Sequence, residues 1–432
     1  MKKVGFLLII LSFSIIFGAC PPLEEDDPDS IYFGNVISFA EPFELDVYKW
    51  FEILDKVAKE KRYVSLDLSK GTYKKGNTNG GLIKKDPEDT NEPVKFDPFP
   101  AAASGKNYIL SIILPNEAQM INQAINDSEI KDDFNAKEKD IENAKKHSAF
   151  RAFTNLRSVK ADNVTLIGNF AFADCTELTE VNFPRVGHTV TENELTQTPP
   201  GYNIDIGKYA FTGCTRLKDV KFNSAAVIGE YAFKGCTSLS KTDFPEVWMI
   251  ERNAFEGCES LVNIFFEKAS KIGNEAFKGC TSLKKAEFNV ASKKVPSISI
   301  GFPTTLPDNP IEPSDYFPIY DSVIFYPSVF NGCKALEVLN VRRAWNVYFS
   351  KDVLANTGSA IDIYLFDEPS SATTSYGHPQ KTPFLGSVAT ATTLKTVSIF
   401  IPMDGEKTTE NIAKYLIGKY PKVDVNINRR AL

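Results

Sequence analysis

At 432 residues the chain is too long for one ordinary core, so it holds either several domains or one elongated array of repeats. Hydrophobic residues make up 43% and charged residues 24%, an ordinary globular balance. A formal net charge of −6 suits a polyanion poorly and argues against nucleic acid as a partner.

The first element is an export signal. Lys2 and Lys3 give a positive start, Val4 to Phe17 are mostly apolar, and "GAC" ends at Cys20. This stretch is too short to span a bilayer comfortably, so residues 1–19 read as a signal peptide. "FGAC" resembles a bacterial lipobox, with Phe17 where leucine is usual, a looser form similar to that of spirochaete lipoproteins. The resemblance implies lipid attachment at Cys20; ordinary secretion is the alternative. Buried acyl CH₂ groups contribute about 0.8 kcal/mol each to membrane anchoring. Residues 20–45 begin "CPPLEEDDPDS", a proline-rich acidic tether without the spacing or the turn glycine of a calcium loop.

Residues 46–147 read as an N-terminal cap. "DVYKWFEILDKVAKE" puts Val47, Trp50, Phe51, Leu54 and Val57 on one helical face. "YVSLDLS" and "YILSIILP" read as strands, residues 69–107 as mostly loop, and about Glu117 to Lys146 as a charged helix.

Then an eleven-residue phrase recurs. "GEYAFKGCTSL", "ERNAFEGCESL" and "GNEAFKGCTSL" follow one another at a 22-residue period. Aligned phenylalanines stand at 150, 172, 211, 233, 255, 277 and 330, so two insertions, 184–205 and 289–327, interrupt the period. Such a period belongs to leucine-rich solenoids. Sets such as Leu217, Val220 and Phe222, or Leu261, Ile264 and Phe266, give a strand with one buried face. "IG" follows and predicts a turn made possible by glycine, and "AF" predicts a short helical turn that puts its ring under the sheet. One unit cannot bury its own apolar face, so stacked units must bury one another's.

Each unit from the second carries a cysteine: Cys175, Cys214, Cys236, Cys258, Cys280 and Cys333. Exported cysteines invite disulfides. However, Phe153 takes the equivalent place in the first unit, and a phenylalanine replaces a buried apolar group rather than half a bridge. A buried reduced ladder is the expectation, with occasional bridges between neighbouring units as the alternative. At the other end, "LKTVSIFIP", "TTENIAKYLIGKY" and "VDVNI" read strand, helix, strand, with Thr408 or Thr409 as helix cap. Residues 367–432 are therefore expected to be a C-terminal cap.

The pattern L-x-x-V-x-F-P…IG-x-x-AF-x-GC-x-x-L resembles the repeat of BspA-like leucine-rich surface proteins, especially treponemal lipoproteins. The match is strong over about 149–288 and degenerates towards 366, where "VLANTGSAIDIYLF" loses the motif. The fold expected is an α/β-type leucine-rich-repeat solenoid over 148–366, one parallel strand ladder with short helical turns, closed by N- and C-terminal α/β caps. The resemblance implies a membrane-anchored envelope protein, on the outer surface or in the periplasm. It also implies binding to other proteins, with adhesion to host matrix or serum proteins as the usual role. An envelope scaffold without a host ligand is the alternative, and a surface hydrolase a remote one.

No G-x-S-x-G, H-E-x-x-H or phosphate-cradling glycine loop occurs, and His147, His188 and His378 lack ligand spacing. Neither catalysis nor a cofactor, metal or small-molecule substrate is expected. Two surfaces compete for a protein partner. The outward strand row reads Asn182, Lys221, Asp243, Phe265 and Glu287, in which Phe265 is an aromatic among charges; a lone exposed apolar residue is the plainer reading. The insertion 289–327 combines prolines with aromatics, among them Tyr316, Phe317 and Tyr320. Long irregular loops carry binding sites, and tyrosine gives contact area at low entropic cost.

Overall fold

The computed structural model describes residues 36–77, 81–84, 89, 93–97, 105–121, 150, 153–187, 204–289, 322–342, 346–349, 352–366, 396–402 and 424–430. Two parallel strand ladders run along the solenoid. The first holds Val36–Ser38, Val64–Asp67, Ile109–Ile113, Ser158–Lys160 and Glu180–Asn182 in one sheet, and Asp219–Lys221 paired with Lys241–Asp243 in the next. It continues through Asn263–Phe266, Lys285–Asn289, Val338–Arg342, Ala360–Phe366, Thr396–Pro402 and Asp424–Arg430. The degenerate stretch 353–366 thus still supplies a strand, and the strands at both ends of the described chain share the ladder's parallel sense.

The second ladder is built from the "IG" segments, expected to be turns. Val227–Ile228, Met249–Ile250, Lys271–Ile272, Ser322–Phe325 and Asn346–Phe349 pair in parallel. Upstream, Leu166–Ile167, Met120–Ile121 and Lys95–Asp97 do the same, with Gly81–Ile83 antiparallel at the edge. Bridges from Ile167 to Ile206 and on to Ile228 join the two groups.

Between the ladders lies the core. The "AF" rings of Phe150, Phe172, Phe211, Phe233, Phe255 and Phe277 stack face to face at 5.0–5.2 Å, and Phe330 follows at 5.8 Å. The strand residues Phe183, Phe222, Phe244, Phe266 and Phe288 form a second column beside it, at 5.8–6.4 Å. All are buried. The spacing is near that of neighbouring strands, so stacking units stacks their rings.

The phrase around "AF" is not helical. Ala232 N–H donates to Gly229 O, Lys234 to Tyr231 O and Cys236 to Phe233 O, each three residues back. The residues between them reach the next unit instead: Tyr231 N–H to Arg252 O at 2.9 Å, Phe233 to Ala254 O at 2.7 Å and Gly235 to Glu256 O at 2.8 Å. Linked turns and inter-unit bonds thus share the donors between them, and every one is satisfied. Left-handed backbone at Tyr231 (φ 58°) and Gly235 (φ 71°) makes this alternation and forbids an α-helix. Gly229 itself has no left-handed backbone. Its role is closeness: a β-carbon there would lie 2.7 Å from the Ile206 carbonyl oxygen of the preceding unit. Glu251 stands in the equivalent place one unit on, and its carboxylate accepts the Glu230 N–H at 2.9 Å.

All six repeat cysteines are free and buried. Each thiol donates to the carbonyl of the "AF" phenylalanine in the preceding unit, from Cys175 to Phe150 O through Cys333 to Phe277 O, at 3.1–3.2 Å. The ladder is a column of weak donors as well as a column of packing groups.

Nearer the N-terminus, Val47–Glu60 is the expected helix, capped by Asp46, which accepts from Lys49 N and Lys74 Nζ, both at 2.9 Å. Those bonds, that from Lys74 foremost, hold the Asp46 carboxyl below the ordinary range. Trp50, Leu54 and Val57 are buried as expected and Val47 is half-buried; Phe51 is 41% exposed, and Ile53 is buried in its stead. Residues 69–107 are less loop-like than expected, since they supply the strands Gly71–Thr72, Gly81–Ile83 and Lys95–Asp97. The charged helix expected from Glu117 does not begin there: Met120–Ile121 is a strand, and 122–146 lies outside the described residues. The C-terminal helix with Thr408 and Thr409 also lies outside them.

Candidate functional site

The outward face of the first ladder carries two rows that alternation frees from the core. Glu180, Asp219, Lys241 and Asn263 are exposed in one, and Asn182, Lys221, Asp243 and Phe265 in the other. Packing fixes the inward neighbours, such as Val220 and Ile264, and leaves these rows unconstrained. Some of their charges pair across and along strands: Lys221 with Asp243 at 3.2 Å, and Lys285 with Glu287 at 2.9 Å. Glu287 also accepts from Asn340 Nδ2 at 3.0 Å. In this neutralised field Phe265 is 49% exposed, and Val262, at the entrance to the same strand, is 40% exposed. Such isolated apolar area among matched ions is chemically suited to covering by a partner's apolar side chain.

Phe265 pairs in register with Glu287, and the strand Lys285–Asn289 ends at the start of the long insertion. The chain returns as Ser322–Phe325, on the second ladder beside Lys271–Ile272. The insertion therefore departs one strand from Phe265. Tyr316, Phe317 and Tyr320 lie outside the described residues, as do Cys20, His147, His188 and His378.

The turn face holds a feature that hydrophobic periodicity does not reveal. Phe170, Tyr209 and Tyr231 stack at 4.7 and 4.6 Å with nearly parallel rings, each on left-handed backbone, unusual for bulky residues. Arg252 and Lys234 cover Tyr231 at 5.3 and 5.2 Å from its ring centre. Burial pushes both tyrosine hydroxyls above the ordinary range. Around them Glu230 pairs with Arg252 at 3.6 Å, Lys234 with Glu256 at 2.9 Å and Lys278 with Glu275 at 3.0 Å. Burial alone would raise the Glu275 carboxyl; bonds from Asn253 and Lys278 outweigh it and hold it low. These groups answer one another from unit to unit and serve stacking.

Among the described residues, no group of three or more His, Cys, Asp or Glu is placed to hold a metal ion, and no helix is long and apolar enough to cross a membrane.

Two strand ladders, a stacked aromatic core and a recurring Leu…Phe…Ile…Phe…Cys unit define a leucine-rich-repeat solenoid. Residues 104–193 and 196–300 match the BspA type leucine rich repeat region in six copies. No curated protein matches the chain. Among solved structures it is similar to a leucine rich cell surface protein of Faecalibacterium prausnitzii, with 17% identity and a TM-score of 0.34 over 82% of this chain and 87% of that one. The leucine-rich repeat protein of T. pallidum is 17% identical, with a TM-score of 0.31 over 61% of this chain and 79% of that one. One from Bacteroides ovatus is 16% identical, with a TM-score of 0.34 over 82% and 76%.

Proposed function

We propose that the chain is a non-catalytic cell-envelope protein, held on a membrane by lipid at Cys20, that binds other proteins and adheres to host matrix or serum proteins. The observation that carries this reading is the contrast within each unit. Inward positions are committed to the core and turn-face charges answer one another, while Phe265 stays half exposed one strand from an insertion rich in aromatics. A solenoid of this kind offers an extended ladder face to macromolecules. Tyr316, Phe317 and Tyr320 of the insertion supply the principal contacts and Phe265 a neighbouring one. Among the described residues no group of three or more His, Cys, Asp or Glu is placed to hold a metal ion, and the reading includes neither substrate nor turnover.

Cys20→Ser should release the protein from membranes and abolish labelling by a fatty-acid analogue; persistent labelling would refute the anchor. A pull-down from host matrix and serum with residues 21–432 identifies the partner. Replacing 292–320 by a short Gly/Ser linker should leave the circular dichroism nearly unchanged, since closing a surface loop costs little. It should also remove most binding. Tyr316→Ala, Phe317→Ala and Tyr320→Ala should each weaken binding by roughly 1–2 kcal/mol. If the loop-replaced protein binds like the parent while Phe265→Ala does not, the site is the ladder face alone. A pull-down that captures nothing specific sinks the adhesion reading.

A further inference from the structure

The row of the second ladder that faces away from Ile228, Ile250 and Ile272 contrasts with the outward row of the first: Val227 in it is fully buried. In register, Val227 pairs with Met249 and Met249 with Lys271, while Ile228, Ile250 and Ile272 point into the core. Lys271 therefore stands in a column whose preceding members are aliphatic. Its ammonium lies 5.8 Å from the centre of the Trp248 ring, and its side chain is only partly exposed.

The other half-buried cations of 204–289 are matched. Lys208, Lys234, Arg252, Lys268, Lys278 and Lys285 each hold a carboxylate. Among the described residues Lys271 has none. Burial is the influence acting on its amine and pushes it below the ordinary lysine range. A cation drawn out of water without an anion costs free energy that a methionine, as at 249, would not cost. Its ring contact with Trp248 offsets part of that cost. A half-buried cation that finds no carboxylate among the described residues retains the capacity to take one from a partner.

We propose that Trp248, Met249 and Lys271 form a docking point for a partner protein segment that places a carboxylate beside an apolar side chain. The carboxylate completes the ion pair with the Lys271 ammonium, and the apolar neighbour covers Trp248 and Met249. Charge complementarity selects this occupant: a purely apolar segment would bury the ammonium further without pairing it, and a basic one would repel it. The proposal rests on the reading of the chain as a binding module but uses a different ladder from Phe265 and the insertion.

The test selects a random-peptide phage library on the full chain, with Lys271→Met as a parallel target and the exposed Lys218→Met as a control for loss of one charge. Peptides with Asp or Glu next to a large apolar residue should be enriched. They should bind Lys218→Met like the parent and bind Lys271→Met at least about thirty-fold more weakly. Changing the peptide's acid to its amide should weaken binding to the parent equally. Free Lys271→Met should melt at or above the parent, which separates this role from a structural one. No enrichment, enriched peptides without a carboxylate, equal binding to Lys271→Met, or a lower melting temperature for that variant would each overturn the proposal. Success here with an empty host pull-down would remove the adhesion reading and leave this docking point standing. Loss of pull-down binding on loop replacement, with peptides indifferent to Lys271, would do the reverse.

Discussion

Truncating Phe233 to alanine should be among the costliest single changes in the array. The ring is fully buried and stacks at 5.2 Å on Phe211 and on Phe255, tilted 4° and 7°, with Phe244 against its side at 5.9 Å. Removing a core phenylalanine costs about 3–5 kcal/mol in lost transfer energy and cavity. The upper end applies because the walls cannot close. Phe211 N–H bonds to Ala232 O and Phe233 N–H to Ala254 O, both at 2.7 Å, and these bonds fix the spacing of the rings above and below. Two stacked pairs are lost as well, each worth about 0.5–1.5 kcal/mol beyond its buried area. Because each unit contacts mainly its neighbours, the damage is local: the array should unfold in two less cooperative parts. Urea denaturation followed by circular dichroism gives the magnitude, and amide exchange of the 211–255 units gives the location. Phe330→Ala, with one stacked partner at 5.8 Å, should cost less. A loss at Phe233 below about 2 kcal/mol, with exchange in both neighbouring units unchanged, would refute the stacked-core account.

The six repeat thiols should resist a thiol reagent in the native protein and all react on denaturation without reductant; three disulfides would overturn the reduced ladder. Burial raises the thiols of Cys175, Cys214, Cys236, Cys258 and Cys333. The fold therefore keeps its protons where the unfolded chain loses them. Stability is fully present below the unfolded thiol value and should fall as pH rises through about 8.5. A flat denaturation midpoint from pH 8 to 10 would count against it. Thr242 stands where Val220 and Ile264 stand in adjacent units, and its buried Oγ1 has no hydrogen-bond partner among the described residues, so Thr242→Val should stabilise by about 1 kcal/mol in the same urea assay.

The repeat, the strand row and the buried phenylalanines were legible because packing writes a fixed-period signal into the sequence. Each unit must meet its neighbour with the same shape, so Phe233, Cys236 and Leu239 recur 22 residues on as Phe255, Cys258 and Leu261. The second ladder was hidden because its strands hold only two residues each over much of their length, too few for alternation to show. The turn around "AF" departs from the expected helix for another reason. Hydrophobic spacing reports which side chains are buried and carries no information on the sign of φ. Left-handed backbone at Tyr231 and its equivalents therefore left no mark, although the recurring glycine at 213, 235, 257 and 279 was a signal. In the N-terminal part, strands of two or three residues inside a polar stretch could not be told from loop.

Lys271 shows how a binding position can be read against such a background. In an isolated sequence a lysine beside an isoleucine reads as a solvated residue on a strand, and nothing about "SKIGNEAF" suggests more. The units supply the missing comparison, because residues one period apart share one environment. Val227 and Met249 record what packing asks of that column, and Lys271 departs from it. Thr242 departs from its own column in the same way, yet its cost is an unpaired hydroxyl with a half-buried side chain and no ring to hold it. Lys271 differs because its ammonium is oriented by Trp248 and retains the capacity for a strong ion pair. The two substitutions to apolar residues therefore separate drift from function. Thr242→Val should gain stability and leave peptide binding unchanged, whereas Lys271→Met should match or exceed the parent's stability and lose the acidic peptide. If both variants bind alike, the departure at 271 is drift too, and the column carries no site.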